Sequence, residues 1–230
     1  MVARRMIQAG LALALSAFLA TGPARSQPAR PLFAGVWMVT KPQQTLRTLQ
    51  GERPPLLPEA LKAYQKALAA KAADQPLTSL VQCQPVGPVR MLFAPYPMMI
   101  LQTPRKITLV HEYQHLLQHV YLDEPLPVGD ALDPTFMGSW VGHWQGSDLV
   151  TESAGFNERT TLDRSGLPHS DALKVVERFR LFDKGRRMRV LITIDDPKTF
   201  IHPWSTSVTF VRRPKLELKE YLCSDDNRNG

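Results

Sequence analysis

The 230-residue chain is poor in cysteine, with only Cys83 and Cys223, and contains no CxxC pair. That excludes a thioredoxin-type redox motif and a paired-thiolate zinc ribbon. There is no glycine-rich phosphate loop and no nicotinamide or flavin fingerprint, so no cofactor is expected. G-x-S-x-G is absent, and with it the nucleophile elbow of α/β hydrolases. No EF-hand spacing exists. Beyond the N-terminus, nothing approaches the roughly 18 apolar residues of a membrane span. A basic stripe is missing too: the formal charge is +7, but Arg186-Arg187 and Arg212-Arg213 are isolated doublets. Nucleic-acid binding wants a basic face and is not expected.

What is present begins with "MVARRMIQAGLALALSAFLATGPARSQ". Arg4 and Arg5 precede an apolar stretch from Ile7 to Ala20, and Ala24-Arg25-Ser26 offers small residues at a cleavage site. Residues 1–26 therefore read as a secretory signal peptide, and the mature protein as periplasmic or secreted. Removing Arg4, Arg5 and Arg25 takes 28 basic residues to 25 against 21 acidic, a net +4. In an oxidising compartment, Cys83 and Cys223 read as one disulfide; two buried free thiols are the alternative.

Residues 27–230 suit a single domain. Residues 27–34 look like a short exposed leader, and 41–58 like a proline-punctuated loop. "PEALKAYQKALAAKAA" (58–73) predicts a helix with an apolar stripe of Leu61, Tyr64 and Leu68. The chain then changes character. "PMMILQ", "KITLVHEY", "HLLQHVYLD", "SDLVTES", "LKVVERFRLF", "RRMRVLITID", "STSVTFVRR" and "LELKEYLC" are short runs between turn signals. Asp183-Lys184-Gly185-Arg186 reads as a hairpin turn. Many short strands at this spacing predict a mainly β fold, an antiparallel barrel with one packed helix.

His111-Glu112-Tyr113-Gln114-His115 matches HExxH, which binds zinc in metallopeptidases when it lies on a helix. Leu109, Tyr113, Leu116, Leu117 and Val120 permit a helix. The end charges oppose one: Arg105 and Lys106 would sit at its N-terminus, Asp123 and Glu124 at its C-terminus. On an extended strand the two histidines would be about 13 Å apart, at roughly 3.3 Å per residue. A hairpin with histidines on its walls or rim is the expectation, and no metal is assigned.

Three longer motifs follow. "DPTFMGSWVGHWQGSDLVTESAGFN", "LDRSGLPHSDALKVVERFR" and "TIDDPKTFIHPW" resemble an uncharacterised family of exported bacterial proteins, with a pattern like DPTWMG-x-S-x-GRWEGDTLVVxTxGFN, LDxxGxPHSxxLxVxERxRR and TIDDPxxYxxPW. The resemblance runs from Cys83 to Asn227. Gly142, Trp144, Gly146, Gly155, Phe156, Asn157, Asp163, His169, Ser170, Glu177, Arg178, Asp195, Asp196, Pro197 and Trp204 match it. So do Cys83 and Cys223, which the resemblance implies are paired. His143, Ser147-Asp148, Thr161 and Phe136 depart from it, as do His111, His115 and His119. "GVW", with Gly35 two residues before Trp37, resembles the opening of lipocalin-type (calycin-like) barrels.

Alternation in "LKVVERFRLF" puts Glu177 on one face with Val175, Phe179 and Leu181. A carboxyl buried on an apolar face must be paired or shifted in pKa, which suits general acid–base work. An arginine such as Arg178 or Arg189 on a neighbouring strand is the structural alternative. His169 in "GLPHSD" lies near Ser170, and an Nδ1–H bond to Asp163 or Asp171 would set a base tautomer. Asp195-Asp196-Pro197 reads as an Asx-type turn, with calcium binding as the alternative.

The candidate catalytic residues are therefore His169, Glu177 and Asp163. The candidate ligand contacts are Trp144, Asn157, Trp204, Glu112 and Tyr113. The leading expectation is an exported protein binding a small apolar or aromatic molecule in a barrel pocket. A cofactor-independent lyase, isomerase or hydrolase using His169 and Glu177 comes second. An envelope interaction module and a zinc metallopeptidase follow.

Overall fold

A computed structural model describes residues 30–73 and 83–222. The expected signal peptide and Cys223 lie outside the described residues. Nine strands close into one barrel, each paired to the next and β9 to β1. They are β1 (Gly35–Val39), β2 (Met98–Gln102), β3 (Lys106–His111), β4 (Leu117–Leu122), β5 (Ser139–Gln145), β6 (Asp148–Ala154), β7 (Lys174–Phe182), β8 (Arg187–Asp195) and β9 (Trp204–Arg212). Closure leaves no unpaired sheet edge. The pairs are antiparallel with one exception: β4 and β5 run parallel. A parallel neighbour cannot be reached by a tight turn, and residues 123–138 supply the crossover.

Alternation builds the interior. Leu149, Val175, Phe179, Met188, Val190, Ile192, Ile194, Val208 and Phe210 are buried in one continuous core. Their neighbours in sequence face outward. On the outer face of β6 and β7, Asp148 accepts from Arg178 at 3.1 Å and from Arg180 at 2.6 and 2.9 Å. Arg178 is thereby occupied away from Glu177. Arg189 stacks over Phe182 on the same exterior.

The barrel's seam is tied by Arg212. Its guanidinium lies 4.3 Å from the Trp37 ring centroid. It donates to the carbonyls of Ala34, Leu32 (2.8 Å) and Gly185 (3.0 Å). Gly35 makes this possible: its φ is +129°, and a Cβ there would fall 2.8 Å from the guanidinium. The G-x-W opening is thus a closure device.

Five expectations need correction. The 27–34 leader is not all exposed: Phe33 is fully buried, 5.7 Å from Trp144 and 6.5 Å from Phe179 between ring centroids, plugging one end. "LELKEYLC" is not a strand over its described residues; Lys219 N–H instead donates to Glu112 at 2.7 Å. The strand β5 lies in a stretch that turn signals had obscured. The helix α1 (Pro58–Ala72) forms as expected, but of its stripe only Tyr64 is buried. A second short helix, α2 (Pro88–Leu92), adds Val89 and Leu92 to the core.

Candidate functional site

The HEYQH segment is a strand end and a turn. His111 is the last residue of β3 and points inward, 3% exposed. Residues 112–116 reverse the chain, with Gln114 at φ +57° and His115 at φ +48°. His115 faces outward, its Nε2 3.0 Å from the Lys219 carbonyl. The two histidines lie on opposite sides of the wall and do not converge on a metal. No cluster of three or more metal-ligating side chains occurs among the described residues.

The unexpected feature is polar and lies inside the barrel. Glu177 is fully buried on β7. Register places it in one row with Gly142, Thr151, Ile192 and Thr206. The row on one side holds Trp144, Leu149, Phe179, Val190 and Val208. The row on the other holds Trp140, Ser153, Val175, Ile194 and Trp204. Both flanking rows are bulkier. The middle row therefore carries the smallest side chains and the only carboxyl.

Thr151 Oγ1 donates to Glu177 Oε2 at 3.3 Å. Oε1 has no partner, and no arginine or lysine neutralises the group among the described residues. Gln118 on β4 is close enough to favour the charged forms of both Glu177 and His111. Yet neither approach reaches hydrogen-bond geometry, and both amide atoms are left without a partner. His111 Nε2 is likewise unpartnered, as are the indole N–H groups of Trp204 and Trp144. Burial pushes the Glu177 carboxyl up to about 8, and holds the His111 imidazole down at about 4. At neutral pH both are uncharged, as apolar surroundings demand.

Three unpartnered side chains in one cluster are costly. A buried polar atom without a partner loses about 1–3 kcal/mol of hydration. Native interiors leave few such atoms. Strand alternation locates Glu177 in the sequence but not its companions. Gln118 and His111 lie in the HExxH hairpin, where the motif pairs His111 with His115 instead.

The other candidates are placed elsewhere. His169 lies in the β6–β7 connection. Its Nε2 is 2.6 Å from Thr160 Oγ1 and its Nδ1 3.0 Å from the Ser170 carbonyl. Both ring nitrogens are engaged, neither with Asp163 nor with Asp171, and its partners do not overlap with those of Glu177. Burial lowers its pKa. Asp163 organises a loop: Oδ1 accepts from Ser165 and Leu167 N–H, and Oδ2 from Leu46 N–H and, at 3.4 Å, the Tyr64 hydroxyl. Asp196 does the same, accepting from Ser170 N–H and Oγ (both 2.6 Å) and Lys198 N–H. That is the Asx-type turn.

The ligand-contact candidates do not line one surface. Trp144 and Trp204 occupy the rows on either side of Glu177, toward opposite ends of the barrel. Asn157 accepts from Arg159 N–H in a loop. Glu112 binds Lys219 N–H, and Tyr113 stacks on Tyr96 at 4.8 Å and meets Tyr221 edge-on, on the turn's outer side. Of the external clefts, one of about 360 Å³ over β4 and β5 has Gln118 and Trp140 in its wall, and two others lie off the interior. One of about 450 Å³ runs between α1 and residues 45–56. One of about 330 Å³ has Trp204 and His202 in its wall.

No protein-family model matches the chain, and none of the curated proteins is significantly similar to it.

Proposed function

We propose that this is an exported protein that binds a small molecule inside the barrel, its polar end against Glu177, Gln118 and His111. The observation that carries the reading is the set of unpartnered polar atoms in a closed apolar interior. An occupant supplying hydrogen bonds there removes a standing cost. The apolar or aromatic body of the molecule packs against the surrounding rows, with Trp204 and Trp140 at one end. Export through the N-terminal segment, membership of the exported family resembled above, and a Cys83–Cys223 link belong to the same proposal. Cys83 is not a free thiol.

A second reading has one specific observation in its favour. A protonated carboxyl and a neutral imidazole flank the same amide, an arrangement suited to acid–base chemistry at neutral pH. In that case the pair is Glu177 with His111, not with His169.

Native mass spectrometry of the protein purified from its own periplasm, with elemental analysis, tests the binding reading. A metal-free protein with a co-purified organic mass supports it. A protein empty from every growth condition, or one carrying stoichiometric zinc, refutes it.

A further inference from the structure

The donor and acceptor inventory of the interior narrows the ligand. Four polar atoms lack a partner in one cluster: Glu177 Oε1, both amide atoms of Gln118, and His111 Nε2, which accepts when the ring proton is on Nδ1. Gln118 stands beside each of the other two. Strand pairing explains why. Leu109 faces Gln118, so His111, two residues on, is its diagonal neighbour across β3 and β4. Glu177 approaches the same amide from β7 without a hydrogen bond to it. Its immediate row contributes Thr151 from β6, Ile192 from β8 and Thr206 from β9, none of them charged. The titratable group of the cluster besides Glu177 is His111.

We infer that the ligand's polar end is a primary ammonium group, its three N–H donors taken by Glu177, Gln118 and His111. This rests on the barrel-binding reading and specifies the chemistry of its ligand. An ammonium group carries three donors and no acceptor, and its charge lets Glu177 ionise, so that the carboxylate accepts from the ligand and has a lone pair left for Gln118 Nε2. A carboxylate ligand would bring a charge that no cationic group in this cluster neutralises, since burial keeps His111 uncharged. An alcohol carries one donor and would satisfy at most part of the set.

The empty site holds Glu177 as the neutral acid, and an aliphatic amine, like a lysine side chain, arrives protonated. Forming the ion pair ionises Glu177, and its proton leaves to solvent. Binding near pH 6.5 therefore releases about one proton, and the release fades above the pKa of about 8.

The probes are n-butylamine and 2-phenylethylamine, each with its alcohol analogue, titrated calorimetrically into the full mature protein in buffers of different ionisation enthalpy. The expected result is that an amine binds at least about tenfold tighter than its alcohol, with release of about one proton at pH 6.5. Glu177→Gln, which keeps the shape of the side chain, abolishes both the preference and the release. Equal binding of amine and alcohol without proton release overturns the inference while leaving the barrel-binding reading standing. Binding of neither overturns the inference too, and the co-purified mass then decides separately whether the barrel binds anything. The amine–alcohol comparison uses the unaltered protein, so the result does not depend on the variant folding.

Discussion

At the scale of single residues, burial without a partner is the theme. Glu177 and His111 shift in opposite directions, and the signs give a pH profile. Glu177 has its pKa raised from the ordinary 4.5 to about 8, so its contribution is fully present below 4.5 and is lost as pH rises to about 8. His111 is lowered from 6.5 to about 4, so its contribution is present above 6.5 and is lost as pH falls toward 4. Between 4.5 and 6.5 the two oppose each other. From 6.5 to 8 only Glu177 acts, and stability falls by roughly 2 kcal/mol at about 1.4 kcal/mol per pH unit. Urea denaturation across that window measures the slope; Glu177→Gln is expected to flatten it. Asp163 and His169 are structural by the same kind of accounting. Asp163→Asn leaves Leu46 N–H or the Ser165 and Leu167 pair facing an amide NH₂, and is expected to lower stability by about 2–4 kcal/mol. His169→Ala is expected to destabilise by about 2 kcal/mol while leaving binding inside the barrel unchanged, which calorimetry on the folded variant checks.

Individual elements show what sequence reveals and what it hides. Periodicity was enough to read β7, β8 and β9, because each alternates cleanly between core and solvent. The β7–β8 turn was legible from Asp183-Lys184-Gly185 and has three successive positive φ values. Lys184 is exposed there at φ +55°, so Lys184→Gly is expected to stabilise by about 0.5–1 kcal/mol in thermal unfolding. The β3–β4 hairpin was legible from charges opposing a helix dipole. Its inward face was not, because assigning Gln118 to the interior requires the register of the whole barrel. Glycine and tryptophan marked β1, but the Arg212 contact is separated from them by almost the whole chain. Arg212→Met is expected to cost about 3 kcal/mol through the lost carbonyl contacts. Arg212→Lys, lacking the planar fork, recovers little of it.

For the whole molecule, the barrel was foreseeable from the number and spacing of strands, while its one parallel pair was not. Nothing in residues 123–138 distinguishes a crossover from an ordinary loop before the pairing of β4 with β5 is known. The helix α1 stays half-exposed because the closed sheet already contains the core, and Tyr64, its one buried residue, ties it down through Asp163 while Lys71 donates to Gln44 at the surface. The proposed Cys83–Cys223 link would close a long loop, so reduction is expected to lower stability by about 4–5 kcal/mol on the chain-entropy account. Comparing denaturant midpoints with and without dithiothreitol checks this. The feature on which the proposed binding depends is a buried carboxyl without a counter-charge inside the closed barrel. The most direct test is a pH titration of the Glu177 side-chain carboxyl carbon by NMR in the ligand-free protein. The account predicts a midpoint near 8. A midpoint near the ordinary 4.5 would mean that a cation or open water reaches Glu177, and would contradict it.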